Sequence, residues 1–91
     1  MEDKNLEIIK HYGVLPQLKY FQTEVYELTE AIVLEQYGED NKEHVAEEIA
    51  DVFVMLDQFM AYYGIDGDEI KRIADFKIDR QLKRISEEQG E

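Results

Sequence analysis

The chain contains no cysteine, so neither a disulfide staple nor a thiolate metal site can exist in it. Proline occurs once, at Pro16, and glycine five times. No apolar run approaches the ~18 residues of a membrane span. The start, Met1-Glu2-Asp3-Lys4-Asn5, lacks the basic-then-apolar order of a signal peptide. A cytoplasmic location away from any membrane is therefore expected. Positive charge is also scarce, with 10 Lys and Arg against 22 Asp and Glu, a formal charge of −12. That balance argues against gripping a nucleic-acid polymer by its backbone, which needs a basic footprint. It leaves room for a small phosphorylated ligand, because bound metal ions invert the local field.

What is present reads as helix. Ninety-one residues make one domain at most, and 44% of them are hydrophobic, as in ordinary globular proteins. Gly13, Gly38 and Gly64 each follow an apolar periodic stretch, where glycine suits a helix C-terminus. Pro16 fits the first turn of a helix. Asp40 with Glu43, and Asp66 with Glu69, resemble capping pairs. Four helices are expected, roughly over 3–11, 16–37, 42–63 and 67–88, and nothing reads as a strand.

The second and third helices carry steps of three and four. Leu18, Phe21, Val25, Leu28 and Ile32 form one expected seam. Val45, Ile49, Val52, Leu56, Phe59 and Tyr63 form the other. The fourth helix is apolar at Ile70, Ile73, Ile78, Leu82 and Ile85. Below Asp51, the third helix is apolar nearly all round, at Phe53, Val54, Met55 and Met60 among others, so it must be covered on several sides. One subunit lacks the helices to do so. The expected fold is all-α, an antiparallel helical bundle completed by homo-oligomerisation, with a tetramer favoured and a dimer second.

Two acidic pairs carry the chemistry. Glu24 and Glu27 share i, i+3 spacing, as do Glu48 and Asp51, so each pair shares a helix face. Each of the four residues precedes a seam residue, which puts both pairs at the same edge of their stripes. On neighbouring antiparallel helices, four carboxylates converge and repel unless a hard divalent cation such as Mg²⁺ joins them. Glu30 and Glu47 are possible auxiliary ligands, although Glu47 lies ~100° round the helix from Glu48. Lys77, Arg80 and Arg84 share one face of the last helix. A cleft with carboxylates on one wall and these cations on the other suits a metal–phosphate ligand. The bland alternatives are a solvated acidic face and basic residues paired with surface acids.

Other metal chemistry fits poorly. A di-iron bundle needs Glu-x-x-His, but His11 and His44 have Ile8 and Asn41 three residues before them. An EF-hand starting at Asp66 would need glycine where Lys71 stands and a ligand where Lys77 stands. The only serine, Ser86, lies in the tail.

Glu24-x-x-Glu27 and, after a gap of 20 residues, Glu48-x-x-Asp51 resemble the E-x-x-E…E-x-x-D signature of MazG-like nucleotide pyrophosphohydrolases. Gln17-Leu18-Lys19 looks like the family's lead-in to this signature. Glu27-Leu28-Thr29-Glu30-Ala31-Ile32 is similar to its E-L-x-x-A-I run. Glu47-Glu48-Ile49-Ala50-Asp51-Val52 resembles its E-E-[LI]-[GA]-D-[VL] core, and Lys77-x-x-Arg80-x-x-x-Arg84 its basic motif. The resemblance covers residues ~13–85 of a single domain, 1–91. Thr23 departs from it, where many members carry another glutamate. The resemblance implies Mg²⁺-dependent hydrolysis of nucleoside triphosphates, (d)NTPs among them, to monophosphate and pyrophosphate, in nucleotide-pool house-cleaning. Mn²⁺ is a possible substitute. It further implies Glu24, Glu27, Glu48 and Asp51 as metal-binding and catalytic residues. Lys77, Arg80 and Arg84 would bind phosphate, and Gln17, Tyr20 or Phe21 would contact the base. The related dUTP and phosphoribosyl-ATP pyrophosphohydrolases share the signature. A non-catalytic helical oligomerisation module remains the reading from another class.

Overall fold

A computed structural model describes residues 3–90 and shows an all-α chain, with no strand among the described residues. Its helices are α1 (Lys4–Tyr12), α2 (Val14–Gln36), α3 (Lys42–Tyr63) and α4 (Gly67–Glu88). Asp3 caps α1 by accepting from the amides of Asn5 and Leu6. Gly13 then serves two helices at once. Its N–H closes α1 on the Ile9 carbonyl at 2.8 Å, and its own carbonyl accepts the Gln17 amide at 3.2 Å. The φ of +95° that this needs is open to glycine and costly for other residues. One consequence is that α2 begins at Val14, two residues ahead of the expected start. Pro16 still falls in the first turn, where a missing N–H leaves no bond unmade.

The cap expected at Asp40 is not formed. Asn41 holds the N-cap position of α3, and its side chain does not cap. Its Nδ2 instead donates to the Ala31 carbonyl at 3.2 Å, tying the start of α3 to α2. At the other end Gly64 is left-handed, and the Ile65 amide returns to the Met60 carbonyl at 2.9 Å, stopping α3. Asp66 does cap α4, but through the Asp68 amide and not that of Glu69.

α2 and α3 pack antiparallel, and α1 leans on both, more on α3 than on α2. The seam between α2 and α3 takes in Phe21, Leu28, Val45, Val52 and Phe59 as expected, but runs one residue ahead of Leu18, Val25, Ile32, Ile49 and Leu56. On α2 the shielded positions are Gln17, Phe21, Glu24, Leu28, Ala31 and Glu35. On α3 they are Asn41, Val45, Glu48, Val52, Met55 and Phe59, with Gln58 beside them. Both lines keep the 3–4 alternation of a helical seam. Phe21 meets Phe59 edge-to-face at 5.6 Å, while Ile9 of α1 is fully enclosed. Leu18, Val25, Ile32, Ile49, Leu56 and Tyr63, expected inside, are exposed. The hydrophobic periodicity marked them because they too repeat in threes and fours. They form a second apolar stripe about 100° round each helix from the true seam.

α4 makes almost no contact with the other helices, and none of its residues is buried. The radius of gyration is 16.7 Å, against roughly 12 Å for a compact domain of this length.

Candidate metal centre

The half-buried hydrogen bond from Gln17 Nε2 to Gln58 Oε1, 2.8 Å long, sets the register of α2 against α3. Seven residues on from Gln17 stands Glu24, and seven back from Gln58 stands Asp51. Three further steps along each helix reach Glu27 and Glu48. The antiparallel register thus faces Glu24 with Asp51, and Glu27 with Glu48.

Glu24, Glu27 and Glu48 each place a carboxylate oxygen within 4.8 Å of the other two. Glu24 and Glu48 are seam residues, 5% and 8% exposed, and not edge residues as the sequence suggests. Glu27 and Asp51 are exposed at the border of the seam. Glu24 Oε2 and Glu48 Oε2 are enclosed and have no hydrogen-bond partner. Such atoms are rare in folded proteins and call for a ligand or an ion.

Electrostatics follow from this crowding. Burial pushes the Glu24 carboxyl above its ordinary value, the Tyr20 hydroxyl hydrogen bond works against that rise, and Asp51, Glu27 and Glu48 add to it. Burial likewise raises Glu48, helped by Glu27 and Asp51 and opposed by His44. The Tyr20 hydroxyl is raised chiefly by its hydrogen bond to Glu24 and by that carboxylate's charge. His44 Nε2 lies 3.7 Å from Glu48 Oε1, and Nδ1 lies 3.9 Å from Glu47 Oε2.

The remaining sequence-predicted residues divide. Tyr20 stands beside the cluster, exposed apart from its link to Glu24. Phe21 packs into the α2–α3 interface against Phe59. The Gln17 amide is engaged with Gln58, inside a polar chain that continues from Gln58 Nε2 to Asn5 Oδ1 and from Asn5 Nδ2 to Asp57. Glu30 stays outside the cluster. Lys77, Arg80 and Arg84 lie exposed on α4, and among the described residues no ion pair joins them to the carboxylates. Arg80 instead sits over the Phe76 ring at 5.8 Å. Within one chain the two-walled cleft is therefore not assembled, because α4 does not fold back.

Asn5, Asp57 and Gln58 escaped the sequence reading, and His44, weighed there only as a di-iron ligand and set aside, stands beside Glu48. Gln58 had one available signal: it lies seven residues beyond Asp51, as Gln17 lies seven before Glu24. Set beside known proteins, the chain matches no protein family, no curated protein and no solved structure.

Proposed function

We propose that this protein is a divalent-cation-dependent nucleoside triphosphate pyrophosphohydrolase. The observation that carries the reading is the pair of enclosed, unpartnered oxygens, Glu24 Oε2 and Glu48 Oε2, beside Glu27. An all-oxygen anionic donor set of this kind suits Mg²⁺, with Mn²⁺ as a substitute. Glu24, Glu27 and Glu48 would hold the cation, with Asp51 at the border completing or supporting the set. When bound, the cation supplies neutralisation of phosphate charge and a water of lowered pKa. Water attacks the α-phosphorus, the bond from that phosphorus to the α–β bridging oxygen breaks, and pyrophosphate leaves. One of the carboxylates takes the proton released by the water. Lys77, Arg80 and Arg84 serve the phosphate oxygens, and Gln17, Tyr20 or Phe21 of α2 contacts the base.

The resemblance to MazG-like enzymes supports the same reading, with dUTP and phosphoribosyl-ATP among the candidate substrates. We also propose a homo-oligomer, a tetramer built as a dimer of dimers or else a dimer. The uncovered apolar residues of α3, Phe53 and Leu56 among them, support it.

The test is a pyrophosphate-release screen across nucleoside triphosphates with and without Mg²⁺. Release from at least one substrate, only with metal, is expected. Nucleoside diphosphate and orthophosphate as products would mean attack at another phosphorus. Absence of both turnover and saturable metal binding would leave a helical oligomerisation module.

A further inference from the structure

The two enclosed carboxylates share a feature of position. Tyr20 stands four residues before Glu24 on α2, and His44 four before Glu48 on α3. A helical side chain leans toward the N-terminus, so each glutamate reaches back to the residue one turn earlier. The Tyr20 hydroxyl donates to the Glu24 carboxylate. His44 Nε2 stands 3.7 Å from Glu48 Oε1, one small side-chain movement from a hydrogen bond. In each glutamate Oε2 stays enclosed and unpartnered.

The two exposed carboxylates have no such neighbour. Thr23 is four before Glu27, but its hydroxyl donates to the Lys19 carbonyl at 3.5 Å. Glu47 is four before Asp51, and a carboxylate has no proton to give. The donors therefore accompany the buried pair alone.

Their place on the layer fits. Tyr20 and His44 precede the seam residues Phe21 and Val45, as Glu27 and Asp51 precede Leu28 and Val52. The same rotation on two antiparallel helices turns all four to one face. Along the axis the order is Tyr20, Glu24 with Asp51, Glu27 with Glu48, then His44, so the two donors bracket the carboxylates. His44 stands behind Glu48 and not at the ion: among the described residues only Glu24, Glu27 and Glu48 gather ligand atoms within 4.8 Å of one another. A carboxylate held at one oxygen presents the other in a fixed direction, and contacts of this outer kind tune metal affinity.

We propose that Tyr20 and His44 are positioning residues of the metal centre, each holding the glutamate one turn further on so that its enclosed Oε2 faces the cation. The proposal rests on the metal-centre reading and not on the reaction assigned to it. It uses the Tyr20 hydroxyl and leaves the ring free for a base.

Isothermal titration with Mn²⁺ tests it, with the metal-free Tm read alongside. Tyr20→Phe removes a hydroxyl and no charge. His44→Ala removes the donor, and His44→Gln keeps one. Tyr20→Phe and His44→Ala should each weaken Mn²⁺ binding about 10- to 100-fold at unchanged Tm, and His44→Gln should recover most of the loss. A bystander imidazole acts with the opposite sign: as a nearby positive charge it repels the cation, and its removal would tighten binding. Unchanged or tighter binding in either variant would strike that residue from the role, and so would a fall in Tm that accounts for the lost affinity. Pulsed EPR of the bound Mn²⁺ should show no directly bonded nitrogen. A strong ¹⁴N coupling that disappears in His44→Ala would make His44 a ligand and overturn its positioning role. Wild-type protein without saturable Mn²⁺ binding would remove the metal centre itself, a result distinct from a wild type that binds as its variants do.

Discussion

Glu24 and Glu48 stand where a helical seam would ordinarily hold leucine, and each keeps one oxygen without a partner. Replacing either with glutamine removes a charge from a crowded site. Glu24→Gln and Glu48→Gln should therefore abolish saturable Mg²⁺ or Mn²⁺ binding in isothermal titration, while the metal-free Tm holds or rises. A large loss of Tm would assign the carboxylate a structural role. The raised carboxyls also set a pH dependence. A carboxyl that binds its proton more tightly folded than unfolded stabilises the fold at low pH. That contribution is lost as pH rises from the ordinary value of 4.5 through the folded value. Wild type measured without metal should thus lose Tm relative to Glu24→Gln across that window, and Mg²⁺ should restore it at neutral pH. On the basic side, Arg80→Ala or Lys77→Ala should spare metal binding. Each lost charge-assisted contact would cost turnover roughly 1.5–3 kcal/mol, or about 10- to 150-fold. Unchanged kinetics in both variants would return these residues to the solvated surface.

Among the elements, α1 is short at nine residues and cannot persist alone. It is held by Ile9, which is fully enclosed, and by the hydrogen bonds of Asn5 to Asp57 and Gln58. Ile9→Ala should cost about 2–5 kcal/mol of stability, read as a lower urea midpoint at fixed protein concentration. Gln58→Leu should cost less in packing but leave Gln17 Nε2 unpaired. It would then lower stability by about 1–3 kcal/mol. Hydrogen exchange should show the loss concentrated where α1 and the start of α2 meet α3. A loss spread evenly over all four helices would contradict the assignment of this polar chain to α1 docking.

The molecule as a whole is an acidic, layered body with an uncovered apolar face and a projecting helix. Light scattering at micromolar concentration should give a mass above that of one 10.8 kDa chain. Phe53→Asp, placed on the uncovered side of α3 at 69% exposure, should shift the population toward monomer without unfolding the helices. Turnover should fall with it, and with dilution of the wild type. A well-folded wild-type monomer would refute the assembly. High salt should weaken the assembly in part, because exposed charge pairs are screened while apolar contacts are not.

Helix number, most helix ends and the pairing of acidic motifs were legible in the sequence. These depend on local chemistry: glycine at positive φ, Asp66 at a cap, and i, i+3 spacing. Gly13, Gly38 and Gly64 all take the positive φ that their positions suggest. The seam was legible at Phe21, Leu28, Val45, Val52 and Phe59 and misread by one position at Leu18, Val25, Ile32, Ile49 and Leu56, because apolar residues mark two stripes on α2 and α3 and only packing selects between them. The inner stripe includes Gln17, Glu24, Glu48 and Gln58, polar residues that no hydrophobic count places inside. Their burial is decided by antiparallel register, a property of two helices together. The separation of Lys77, Arg80 and Arg84 from the carboxylates was likewise undecidable from spacing. It depends on whether α4 turns back after Gly64 or stands free, and within this chain α4 stands free.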